Sequence, residues 1–482
     1  MTNNGILNNI LWKFAERISA QLVTLIVSVV LARLLDPTHY GLIAIVMIFV
    51  TLANLLVSEG FGSALIQKHN ADDLDFSSVL MFNIFLSSVL YLILFFSAPS
   101  IAKFYGDGYS ELVPVLRVLG LKILFAGISS IQQAYVSKKM IFKKFFMATF
   151  FGTVLSGIVG IWMALNGYGV WALVGQYLIN SFVDMILLGI SLKWWPGFRI
   201  SFQRLKSLMS FGWRILFSSI LITGFTELRG LIIGKLYTAE DLAYYDKGKK
   251  FPTLIVTNVS TSISAVLFPK MAQQQLVLED VKRTTRESIR FSSFMMSPIM
   301  LGLAAVATPF ISIVLTEKWL PSVPLLRIFC IFYLFHPIHS ANMQAIKAIG
   351  RGDVYLRLEI VKKVIELAVL LLVMWISVDA IVISMTILSV AFTVVNIIPN
   401  KRLLNYGFKE QMRDILPSIG ISSIMAIIVF SITYIQMGSF LTIIIQVLIG
   451  ISIYIAFSII TKNQEFRNIV IIMKKLLRKQ NT

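Results

Sequence analysis

Apolar runs of about twenty residues follow one another along almost the whole chain. They are parted by short breaks carrying turn residues: Asp36-Pro37, Gly106-Asp107-Gly108, Asn166-Gly167 and Gly438-Ser439. A run of that length crosses the hydrocarbon of a bilayer as a helix, because in lipid every backbone N–H and C=O must be paired inside the element. The 482 residues are 57% hydrophobic and only 14% charged, more apolar surface than a water-soluble fold of this length could hide. The chain reads as an all-α polytopic membrane protein. Fourteen spans are expected, at about residues 11–35, 41–66, 77–99, 111–136, 145–166, 169–190, 209–235, 245–269, 290–316, 322–346, 355–376, 378–399, 414–435 and 440–461.

The spans are organised by a repeat. Pro114 to Ser130, PVLRVLGLKILFAGISS, returns 210 residues later as Pro324 to Ser340, PLLRIFCIFYLFHPIHS, with seven of seventeen positions identical. Leu and Ile agree by chance in apolar helices, so Pro114/Pro324 and Arg117/Arg327 carry the weight. Phe76-Ser77-Ser78 returns as Phe291-Ser292-Ser293, and Trp12-Lys13 as Trp213-Arg214. Two copies of a six-span unit, both entering the bilayer in the same direction, account for these echoes. The expected division is an N-lobe over residues 1–190 (spans one to six) and an inter-lobe connection over 191–208. A C-lobe over 209–400 (spans seven to twelve) follows, then two extra spans within 401–461 and a basic amphipathic tail over 462–482.

Net charge is +19, and in a membrane protein basic residues first report topology. Lys138, Lys139, Lys143 and Lys144 cluster after span four, Lys193, Arg199, Arg204 and Lys206 after span six, and Lys270, Lys282, Arg283 and Arg286 after span eight. The intervening loops are acidic. The positive-inside rule places both termini in the cytoplasm, and no nucleic-acid partner is needed to explain the charge. MTNNGILNNI has no positive n-region, so the first span is expected to persist. The single cysteine, Cys330, excludes an intramolecular disulfide and a cysteine metal site. No P-loop occurs, and no cofactor is expected.

Charge inside a span is costly and should face a cavity or a partner. Lys13, Arg17, Gln21, Thr24 and Ser28 form one polar stripe on the first span. Thr51, Asn54, Ser58 and Gly62 do so on the second, and Ser210, Arg214 and Ser218 on the seventh, with Arg229 further along. Lys122 lies within span four. Such stripes mark either an aqueous cavity or tight helix packing, and the charges on them favour a cationic cavity suited to an anionic, phosphate-bearing substrate. The expected substrate-binding residues are Lys13, Arg17, Lys122, Arg214 and Arg229. The acids Glu59 and Asp184 are candidates for ion coupling, Asp184 needing a partner from another helix. Glu359 and Glu366 fit an ion-pair ladder with Lys362 and Lys363. Arg117 and Arg327 could line the cavity or snorkel toward the interface. His336 and His339 lack a convergent carboxylate, so no metal site is expected.

ARLLDPTHYGL, EGFGSALIQK, YVSKKMIFKKF and NGYGVWALVGQ resemble the polysaccharide-biosynthesis flippases of the multidrug/oligosaccharidyl-lipid/polysaccharide exporter superfamily. The resemblance is closest to the branch that exports lipopolysaccharide, capsule or teichuronic-acid-type repeat units. It implies two facing six-helix lobes and a polyprenyl-pyrophosphate-linked oligosaccharide, flipped from the cytoplasmic to the outer leaflet of a bacterial inner membrane. Membrane lipids and polysaccharide polymerase machinery are the partners it implies. An ion-coupled multidrug exporter on the same fold is the alternative. A membrane polymerase or ligase is disfavoured, because no outer loop exceeds about fifteen residues.

Overall fold

The computed structural model describes residues 21–193, 197, 199–435, 437–468 and 470–471. Lys13, Arg17, Trp194, Trp195 and the tail beyond residue 471 lie outside the described residues. The described chain is helical, and eleven of its helices are long and apolar enough to cross a membrane. It divides by packing into two compact units, Met1–Ala243 and Tyr244–Thr482.

The first unit holds α1 (Gln21–Leu34), α2 (Pro37–Gln67), α3 (Asp73–Tyr105), α4 (Leu112–Leu119), α5 (Leu121–Lys139), α6 (Phe142–Leu165), α7 (Val170–Leu192) and α8 (Phe202–Leu236). Pro37 opens α2, where its missing N–H costs nothing, and Asp72 caps α3 by accepting from Asp75 N–H at 2.9 Å. Residues 202–208, read as part of the connection, form the first two turns of α8.

Helix α8 lies along α2 through glycine. A Cβ on Gly212 would sit 2.4 Å from the Gly60 carbonyl oxygen, and just past the end of α8 one on Gly41 would sit only 1.8 Å from the carbonyl oxygen of Ala239, the first residue of α9. Between these ends, Gly230 and Gly234 face Ile48 and Ile45. Lipid offers no hydrophobic drive for helix pairing, so such close backbone approach supplies the attraction. This is why α8 packs into the first unit by contact, although the repeat counts it as the opening helix of the second copy.

One end of the first unit is fixed by charge. Asp75, fully buried, takes both oxygens to Lys68 at 2.6 Å, and Arg204 of α8 reaches Asp72 at 3.2 Å. Lys138 caps α2 by donating to the Leu65 carbonyl at 3.0 Å and to that of Lys68. Beneath them pack Phe61, Leu65, Phe76, Leu80, Ile131 and Leu205.

The second unit contains α9 (Ala239–Gln273) from Tyr244 onward, then α10 (Leu278–Ala305), α11 (Ala307–Leu315), α12 (Ser322–Leu334), α13 (His336–Ala348), α14 (Gly352–Val373), α15 (Val378–Leu404), α16 (Phe408–Ser431) and α17 (Ser439–Ile460). The stretches expected as spans nine and ten are each two helices. Val306 separates α10 from α11, and Pro337, at the start of α13, breaks the run at Phe335. Here the same end carries the opposite polarity: bases on α10 bind acids on α16. Arg286 forks onto Asp414 at 2.7 and 2.9 Å, Tyr406 adds a hydroxyl at 2.8 Å, and Lys282 meets Glu410 at 3.4 Å.

Candidate substrate-binding site

Helices α5, α6 and α7 of the first unit assemble a polar site from residues of three spans. Lys122 stands one residue into α5, half-buried, with Nζ 5.1 Å from the centroid of the Tyr177 ring on α7. Seven residues on, and so on the same face of α7, Asp184 is the acidic group whose charge acts on Lys122. The Asp184 Oδ1 is buried and makes no hydrogen bond. It reaches that position because α6 presents only small residues there. A Cβ on Gly152 would lie 1.9 Å from it, and Gly160 in the same way admits Gln176. Asn180 donates to Thr153 Oγ1 across the same seam at 3.4 Å.

Chemically this is an intramembrane cation held over an aromatic face, with a carboxylate as counter-charge. An anion entering the site would meet the Lys122 amine over the Tyr177 ring.

The other expected residues fall elsewhere on the first unit. Arg214 is exposed on α8, its guanidinium 5.9 Å from the Trp213 ring, two residues past the Gly60–Gly212 crossing. Glu59, half-buried, immediately precedes Gly60, so both charged residues sit on the helix segments that cross there. Arg229 and its neighbour Glu227 are half-buried about 22 Å further along α8. The fold therefore places Lys122 against Tyr177, on the helix that carries Asp184, and sets Arg229 well apart from Arg214. Lys13 and Arg17 lie outside the described residues.

Sequence reasoning named Asp184 as needing a partner but missed Tyr177 and Gly152. A tyrosine seven residues before a lone intramembrane acid, and a run of glycines on the preceding span, are the signals that point to them.

The repeat arginines have a structural duty. Pro99 cannot donate to the Phe95 carbonyl, and Arg117 Nε does so instead at 3.3 Å, its guanidinium 4.4 Å from the Phe95 ring. Arg327 Nε donates to the Ala304 carbonyl, at the end of α10, at 3.2 Å and bonds Thr308 Oγ1 at 3.0 Å. In both units the same arginine fills an orphaned helix carbonyl. The acids of α14 form the expected ladder, Glu359 with Lys362 at 2.5 Å and Glu366 with Lys363 at 2.9 Å. Both nitrogens of His339 are committed, Nδ1 to Asn396 at 2.8 Å and Nε2 to the Ser389 carbonyl at 3.0 Å.

Residues 30–324, more than half of the chain, match the family described as polysaccharide biosynthesis protein. The chain belongs to this family. Among curated relatives of the polysaccharide biosynthesis protein family, it is 26% identical over 392 residues to the teichuronic acid biosynthesis protein TuaB of Bacillus subtilis (strain 168), covering 79% of each chain. Among solved structures, the fold is similar to the lipid II flippase MurJ in an inward closed conformation. The TM-score is 0.80 at 16% identity, over 96% of this chain and 100% of that one. An inward-facing multidrug resistance MATE transporter of the MOP superfamily follows at TM-score 0.62 and 14% identity, over 80% and 94%. The fold is thus one shared with a lipid II flippase and a MATE transporter of the MOP superfamily.

Proposed function

We propose that this multi-pass protein flips polyprenyl-pyrophosphate-linked oligosaccharide repeat units from the cytoplasmic to the outer leaflet of a bacterial inner membrane, for surface polysaccharide synthesis. The observation that carries the reading is Lys122, an intramembrane cation seated on Tyr177 in a polysaccharide-biosynthesis chain. Lys13, Arg17, Arg214 and Arg229 extend the cationic character of the spans, and pyrophosphate is the substrate group that such residues match. Transport proceeds by alternating access, with fourteen spans and both termini cytoplasmic. Membrane lipids solvate the polyprenyl tail, and polymerase machinery consumes the flipped unit. Asp184 and Glu59 are the groups through which an ion gradient would couple.

The MATE-like fold supports a second reading, an ion-coupled multidrug exporter. An intramembrane lysine over Tyr177 disfavours it, because a cation repels a cationic drug. The test is genetic. Deleting the gene should abolish the surface polysaccharide and leave lipid-linked repeat units in the cytoplasmic leaflet, and the Lys122→Ala gene should fail to restore export. Unchanged polysaccharide with new sensitivity to cationic drugs would overturn the proposal.

A further inference from the structure

The second unit carries a different kind of polarity. From Thr253 to Ser264, α9 holds no Asp, Glu, Lys or Arg, yet it is rich in hydroxyls. From Tyr333 to Ile346, across α12 and α13, there is again no Asp, Glu, Lys or Arg, and the polar residues are Tyr333, His336, His339, Ser340, Asn342 and Gln344. The two stretches are joined by hydrogen bonds. Thr253 Oγ1 meets Tyr333 OH at 2.9 Å, Ser260 Oγ meets His336 Nδ1 at 3.1 Å, and Gln344 Nε2 donates to Ser264 Oγ and, at 3.0 Å, to Ser340 Oγ. The seam runs about 16 Å along α9.

Residues 336, 340 and 344 lie on one face of α13 at steps of four. The other face is also polar, but closed. His339 is bonded to α15, and Asn342 and Gln411 exchange amide bonds at 2.8 and 3.1 Å with no exposure at either residue. That buried face is packing glue. The α9 face is half-open: Tyr333, His336, Ser340 and Gln344 are half-buried, and Thr257 and Thr261 of α9 are exposed. Thr257 and Thr261 donate to the Thr253 and Thr257 carbonyls, and partly exposed hydroxyls paired in this way keep acceptor capacity for water or a ligand.

We infer that this seam binds the glycan of the substrate and sets which repeat unit is carried. Sugars present many hydroxyls that both donate and accept, no formal charge is needed to meet them, and hydroxyl, imidazole and amide groups do both. The Tyr333 and His336 rings, edge to face at 6.4 Å, add apolar faces for pyranose rings. The inference rests on the flippase reading and deepens it. The neutral polarity of this seam serves the sugars.

The experiment compares two carriers in proteoliposomes: the lipid-linked oligosaccharide extracted from the native cells, and the same lipid trimmed enzymatically to its first sugar. The readout is the ratio of their flipping rates. Ser260→Ala and Gln344→Met should each lower the full-to-trimmed ratio about tenfold, as loss of a specificity hydrogen bond requires, and Ser260→Thr should hold it. Lys122→Ala should slow both carriers together and leave the ratio alone. A ratio unmoved in Ser260→Ala and Gln344→Met, whether both rates fall or neither does, overturns the seam assignment. Wild-type protein moving neither carrier overturns the flippase reading and this one with it.

Discussion

At the scale of single residues, the fold answers two questions that the sequence leaves open. Asp184 was legible as an acid in want of a partner, because its own helix offers no base. That Lys122 stands over Tyr177, on the helix of Asp184, was not legible, since it depends on how α5 and α7 pack. Gly152→Ala tests the arrangement without removing a charge. Its Cβ would displace the Asp184 carboxylate, so transport should fall severalfold while the protein still accumulates and purifies normally. Undiminished transport would show that the carboxylate's position is immaterial. Arg117 and Arg327 resolve differently. Their recurrence was visible in the repeat, but an orphaned carbonyl at Phe95 is visible only once Pro99 is placed inside a helix. Arg117→Ala should cost about 1–3 kcal/mol by leaving that carbonyl unpaired. A lowered melting temperature in detergent, with the transport rate per folded molecule retained, is the expected result.

At the scale of elements, hydropathy placed the helices well, since nothing but helices can follow such apolar runs in lipid. It did not show that α8 pairs with α2, because the pairing runs through glycines that periodicity treats as neutral. Gly41→Leu would drive a branched side chain into the Ala239 backbone and should prevent accumulation of folded protein. Gly62→Ala, with open space around it, should be tolerated; size-exclusion profiles of the two variants make the comparison. The α3 cap gives a pH prediction. The Asp75 N–H that it accepts, then the Asp75 side chain and the Arg204 and Lys68 charges, hold the Asp72 carboxyl below its ordinary 3.8. A depressed folded-state pKa adds stability that is present above 3.8 and is lost as pH falls through the folded value. Acid should therefore lower the unfolding temperature, and Arg204→Ala should flatten that acid limb.

At the scale of the whole molecule, the repeat and the difference between its copies matter most. The shared parts are structural: the arginine that fills an open carbonyl, and the charged end where one helix binds the helix that follows the six-span set. The parts that differ carry the proposed function. Intramembrane charge of the first unit stands out in sequence, because Lys, Arg and Asp are rare inside apolar runs. The hydroxyl seam of the second unit does not, because Ser and Thr are ordinary in membrane helices and only their open pairing with Tyr333, His336 and Gln344 sets them apart. The central claim is movement of a pyrophosphate-linked glycan. Its most direct test follows labelled lipid-linked oligosaccharide across proteoliposome membranes, with and without an imposed proton or sodium gradient. The account predicts head groups reaching the opposite leaflet only when the protein is present, with that movement much slowed in Lys122→Ala. No movement of any pyrophosphate-linked carrier, together with efflux of a small cationic drug, would contradict it.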